Sequence, residues 1–474
     1  MTRSAVRHPL AVLREGMGLS HGGYARLVAE THAELGYGRM AERREKVARW
    51  ESGRIVPELT AQLAIAQVHS VPREDVLRRG WPEWLFLATG DDAFLRLPWT
   101  ASGAAKALAE SLRESSVKPQ AYLIASDTDN DDLAREWVDT LACCPPVQEG
   151  HQLDPAVLDA LEARVAALMS MEESLVPGLL GPLAESELRL VTFLINSAEY
   201  NQDTGTRLHT AAATAARLCG FVARLAGDYA RAQRFYLAGL RSATTAGDHQ
   251  MAVFMVTVLS GLHHDHGKPA LTLLTAAQQG LDQGFLAPRL AAKLLARVAR
   301  AHACLGEESA SARSLDAARS AMDTADWSGE EFAHASWVSH SWLDLFSAAA
   351  AADLDKPKVA LDRYTPLLRN PLADGLDPGT AVLHLCRAAE AYLSLGHVDA
   401  AAETATTAVG LLGGWASAPT DRIRRQLAAH RAVPAAREFL NVTESRSRHE
   451  AGRTHLHLWP APKASTTSTR QGLR

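Results

Sequence analysis

Between residues 205 and 415 the chain repeats one spacing of small and bulky residues. Gly220, Gly227, Ala232, Tyr236 and Gly239 share their offsets with Ser260, Gly267, Thr272, Ala276 and Gln279. The same offsets return at Ala299, Gly306, Ser311, Leu315 and Ala318, and again at Ala389, Gly396, Ala401, Ala405 and Ala408. A weaker copy runs from Asp355 through Ala360 to Tyr364, so successive turn positions lie 40, 39, 49 and 41 residues apart. Two antiparallel helices approach closely only where small residues meet at the crossing, while a larger residue four positions on fills the groove to the next pair. A chain built this way buries its apolar surface between neighbours along a row rather than in one central core. Strand-like alternation is almost absent from about residue 155 onward, and the expected fold class is all-α.

The offsets resemble those of tetratricopeptide repeats, with the period lengthened beyond the usual ~34 residues. That resemblance implies an α-solenoid over residues 156–440, a groove able to take a peptide or protein ligand, and a role in dimerisation and in sensing an effector or partner.

The first 80 residues have a different character. They carry 13 Lys and Arg against nine Asp and Glu, whereas the remainder carries 36 against 45. The net charge of −5 argues against general affinity for nucleic acid, but a basic head on an acidic body confines any polyanion contact to the head. Four helical signals crowd into that head. The first starts at Pro9 and ends at Gly16 and Gly18; the second follows Ser20 as N-cap. The third lies in ERREKVARWESG and is closed by Gly53; the fourth follows Pro57, with Leu59, Leu63, Ala66 and Val68 expected inside. In the third, Val47 and Trp50 form an apolar side, and Arg43, Arg44, Lys46 and Arg49 lie opposite. A cationic helix pinned from behind can lie in a DNA groove, where cations neutralise phosphates and arginine can bind guanine bidentately.

LREGMGLS at residues 13–20 and VARWESGRIVP at residues 47–57 together resemble the XRE/Cro-type helix-turn-helix fold. Regulators joining such a head to a tetratricopeptide-like body are similar to those abundant in high-GC filamentous bacteria, where they influence development and secondary metabolism. Carried onto this chain, the resemblance implies that Ser20 and His21 open the second helix near the phosphates. It implies that Arg44, Glu45, Lys46 and Arg49 face base edges or backbone, that Trp50 and Glu51 are structural with Glu51 paired to Arg14, and that Arg54 touches phosphate beyond the turn. The chain departs from the family in two places. His21 replaces the usual glutamine, and HAELGYGRMAERRE adds residues between the second and third helices. The added residues could lengthen the second helix and form a basic wing through Arg39, or they could displace the turn.

Residues 81–155, with Trp81, Trp84 and Trp99, read as a linker or docking segment, its polar stretches around SDTDNDD and CCPPVQEGHQLDP being linker. Residues 441–474 read as a flexible tail. The five cysteines lack CxxC spacing, which indicates neither a disulfide framework nor a zinc site, and the vicinal pair Cys143–Cys144 reads as inert. HHDH at residues 263–266 and His455 with His457 read as polar turn and frayed end rather than metal ligands. No nucleophile elbow, phosphate loop or HExxH occurs, so the chain is expected to be neither an enzyme nor dependent on a cofactor. No apolar leader or membrane span is visible, which places the expected protein in the cytoplasm. Two functions compete: a homodimeric transcriptional regulator bound to double-stranded DNA, or a tetratricopeptide-like interaction scaffold with a degenerate DNA-binding head.

Overall fold

Pro9 sits in the first turn of the first helix, where its missing N–H would have had no partner in any case, and its fixed φ suits helix entry. The computed structural model describes residues 8–88, 92–113, 127–140, 153–172, 177–197, 200–263, 267–282, 284, 286–323, 331–373, 376–412 and 417–450. Among them every regular element is a helix. None is long and apolar enough to cross a membrane.

The head contains α1 (Pro9–Gly16), α2 (His21–Glu34), α3 (Arg44–Glu51), α4 (Leu59–Val68), α5 (Arg73–Arg79) and α6 (Leu85–Ala88). Their core joins Leu10, Tyr24, Val28, Val47, Trp50, Ile65 and Trp84. Ser20 caps α2 by accepting from the Gly23 amide at 3.1 Å. Leu59, expected inside, is exposed: it opens α4 on the outer side, and Ala61 and Leu63 take the buried positions.

A second core begins with α7 (Asp92–Leu95) and α8 (Ala101–Ser111), joined by α9 (Asp127–Thr140), α10 (Pro155–Met171) and α11 (Pro177–Ser197). Residues 81–155 therefore divide: Trp81 and Trp84 pack in the head, whereas Phe94, Leu97 and Trp99 pack on the body. Arg241 ties the latter down, donating to the Leu95 carbonyl at 2.6 Å with its guanidinium over the Trp99 ring. Most of SDTDNDD is helical rather than linker, since Leu133, Ala134 and Trp137 bury one side of α9 and Trp137 Nε1 donates to Thr244 Oγ1 at 3.2 Å.

The rest is a succession of helices: α12 (Gln202–Ala226), α13 (Tyr229–Ala246), α14 (His249–Ser260), α15 (Gly267–Asp282), α16 (Pro288–Cys304), α17 (Glu308–Met322), α18 (His340–Asp353), α19 (Pro357–Arg369), α20 (Pro378–Ser394), α21 (Val398–Leu411), α22 (Ala418–Leu427) and α23 (Pro434–Glu450). Four sequence repeats correspond to the pairs α12–α13, α16–α17, α18–α19 and α20–α21, each turning through a left-handed residue: Gly227, Gly306, Asp355 or Gly396. At Gly227, glycine takes φ +81° without the clash a side chain would bring. Gly220 lets α12 approach the Tyr236 ring of α13, which is the small-against-bulky crossing expected of the spacing. Two expectations need correction. Gly267 opens α15 instead of forming the turn, and helical structure continues to Glu450, beyond the tail boundary at 441. Cys143, Cys144, residues 264–266, His455, His457 and residues 451–474 lie outside the described residues.

Candidate nucleic-acid interface

The i, i+3 spacing of Val47 and Trp50 fixes which side of α3 faces inward. Val47 is fully buried and Trp50 nearly so, and this leaves Arg44, Glu45, Lys46, Ala48 and Arg49 on the outer face. Arg43 stands at the N-cap of the helix without a capping side-chain bond, and Arg54 is exposed just past Gly53, whose φ of +68° turns the chain out of the helix.

The back of α3 is held by a charged knot. Glu51 accepts from Arg14 Nε at 2.6 Å and from Arg14 Nη2 at 3.1 Å, a bidentate arrangement that is the strongest form of such a pair. Arg14 also donates to the Leu19 carbonyl at 2.8 Å, fixing the α1–α2 turn. The bond to Glu51, net of burial, raises the Arg14 guanidinium above its ordinary value. His21 Nε2 completes the knot, 3.0 Å from Glu51 Oε2. One carboxylate thus locks α1, α2 and α3 together.

A second anchor, which sequence reasoning missed, sets the turn after α3. Gln62 Nε2 donates to the Pro57 carbonyl at 2.8 Å, and Gln62 Oε1 accepts from Trp84 Nε1 at 3.2 Å. The signal was a glutamine within the apolar run AQLAIA: a buried amide there needs partners for both ends. Tyr24 and His69 form a comparable pair, with Oη and Nε2 2.8 Å apart, and burial lowers the imidazole's pKa.

Residues 35–43 do not lengthen α2. They leave it at Glu34, and His32 Nδ1 lies 2.9 Å from the Gly38 carbonyl with Tyr37 edge-on to the same imidazole. Arg39 is exposed on this segment, and Arg26 of α2 pairs with Glu42 at 3.8 Å. Of the nine residues marked from the sequence, Arg43, Arg44, Glu45, Lys46 and Arg49 form one surface on α3, with Arg39 and Arg54 exposed on the flanking segments. Ser20 and His21 instead spend their polar atoms internally, on the α2 cap and on Glu51. Arg44 pairs with Glu45 at 2.9 Å, both exposed, which holds the Glu45 carboxyl below its usual range. Among the described residues, Arg39, Arg43, Lys46, Arg49 and Arg54 have no side-chain ion pair. An exposed row of unpaired cations on a rigid helix can bind an anionic polymer at little reorganisation cost.

No protein-family profile, curated protein or solved structure matches the chain.

Proposed function

We propose that the protein is a sequence-specific DNA-binding transcriptional regulator, with α1–α4 acting as an XRE/Cro-type helix-turn-helix head and α3 as its recognition helix. The observation that carries this reading is the two-sided build of α3: Val47, Trp50 and Glu51 are fixed in the head, and Arg44, Lys46 and Arg49 project outward. The bidentate link from Glu51 to Arg14 further supports the family resemblance. The paired helices from α12 onward support a tetratricopeptide-like solenoid that mediates dimerisation and effector or partner sensing. Dimerisation would place two heads on two half-sites about one helical turn of DNA apart, or a multiple of it.

One observation favours the scaffold alternative. Residues 35–43 stand between α2 and α3, where the family has a short turn, and they could set α3 at an angle that does not fit a groove. Genome-wide mapping of bound DNA separates the two. A regulator gives recurrent sites with a shared, two-fold-related sequence, whereas a scaffold gives no enrichment above background and co-purifies with a protein partner through residues 156–440.

A further inference from the structure

A cavity of about 530 Å³ opens on the side of the body formed by α10, α12, α14, α16, α18 and α20. Its charges do not balance. Arg207 pairs with Glu162 at 2.7 Å, and Arg217 is bound to Glu172 by both carboxylate oxygens. Within the lining those two couples cancel, Asp159 outside it being a second carboxylate on Arg207, which leaves Arg224, Lys293 and Arg297 against Asp377, and Asp377 is occupied as the cap of α20, accepting from the Thr380 amide at 2.8 Å.

Lys293 and Arg297 stand one turn apart on α16 and point at rings rather than carboxylates. The Lys293 ammonium lies 3.7 Å from the centre of Phe254 and 4.6 Å from that of Trp337, and Arg297 lies over Phe346 at 5.0 Å. Lys293 is only 2% exposed and has no hydrogen bond or ion pair among the described residues; Arg297 Nε, His334 Nδ1 and His384 Nε2 are likewise buried without partners. Buried donors left unsatisfied cost free energy unless a ligand supplies the acceptor. Burial, with Arg297 adding to it, holds the Lys293 ammonium well below its usual pKa. Aromatic rings complete the wall: Trp337 packs edge-on to Trp342, whose ring centre is 3.9 Å from that of Phe346.

We infer that this cavity binds a small organic acid with a flat aromatic body, its carboxylate held by Lys293 and Arg297 and its ring packed on Trp337, Trp342 and Phe346. The volume falls in the range of small-molecule sites, which is too little for an extended peptide to be enclosed. The segment that widens the repeat spacing to 49 residues supplies Ala333, His334, Ser336 and Trp337 to the lining, so the irregularity in the array is the part that closes this cavity. The inference deepens the sensing half of the proposed function and rests on that half alone.

The test is isothermal titration of the full chain with 2-naphthoate and with its uncharged isostere 2-naphthamide. The acid is expected to bind at least about tenfold more tightly than the amide. In Lys293→Met, which removes a buried charge while keeping the length of the side chain, the melting temperature should not fall and the preference for the acid should shrink to within about twofold. If that variant fails to fold, Arg297→Met is read the same way. Equal affinities for acid and amide, undetectable binding of both to the wild type at millimolar concentration, or a folded variant that keeps the full preference would each overturn the inference. No DNA enters the experiment, so its failure leaves the reading of the head standing, and a failure of DNA binding leaves this result standing.

Discussion

Glu51 has the most consequential position of any single side chain in the head. It is nearly buried; it is the bidentate partner of Arg14, whose other bonds go to the Leu19 carbonyl and to Glu15 at 3.4 Å, and the ion partner of His21. Removing one member of a buried ion pair strands the other, at a cost of about 3 kcal/mol. Glu51→Ala is therefore expected to lower hydrogen-exchange protection across α1–α3 by about two orders of magnitude while leaving α12–α21 unchanged. Protection equal to the wild type would show that the knot contributes nothing. In the body, His209 on α12 is 1% exposed, neither ring nitrogen has a partner among the described residues, and burial pulls its pKa down to about 4. The unfolded chain, with a histidine pKa of about 6.5, takes up the proton first, so this contribution is complete above that value and is lost as pH falls toward 4. His209→Leu is expected to lose about 2 kcal/mol less than the wild type between pH 6.5 and pH 4.5 in urea denaturation. Identical losses would contradict the assignment.

At the scale of elements, the helix pairs obey a steric rule that opposes intrinsic propensity. Alanine is a better helix former than glycine by about 1 kcal/mol, yet a Cβ at Gly220 would stand 2.6 Å from Tyr236 Cδ1 and closer still to Cε1. Gly220→Ala must part α12 from α13, and overpacking of this kind costs about 2 kcal/mol net. A Cβ at Gly410, near the end of α21, would meet nothing within 4 Å among the described residues, so Gly410→Ala is expected to stabilise by about 0.5 kcal/mol. Thermal melts that shift in opposite directions for the two variants check both statements, and a shared direction would refute the crossing rule. These pairs were legible in the sequence because small residues and left-handed turn residues leave a periodic mark. Asp353 was not: burial pushes its carboxyl up, but Arg300 and Arg387 outweigh that and hold it at about 2, joining α16, α18 and α20. The three residues lie far apart in the chain, and no local pattern brings them together.

The molecule as a whole divides into a head whose core runs from Leu10 to Leu85 and a body whose cores begin at Phe94. The sequence revealed the outward face of α3, since Val47 and Trp50 mark its reverse, and it revealed the Arg14–Glu51 pair through the family resemblance. Lys293 and Arg297 escaped notice because their meaning lies in having no carboxylate bonded to them among the described residues, which a linear reading cannot register. The central claim, that α3 reads DNA, is tested most directly by measuring affinity for one mapped genomic site across a range of salt concentrations for the wild type, Lys46→Ala and Arg49→Ala. If these cations meet the duplex, each substitution weakens binding by about tenfold, and loss of a phosphate contact also reduces the salt slope by about one. Affinities and slopes for both variants that coincide with the wild type would contradict the account.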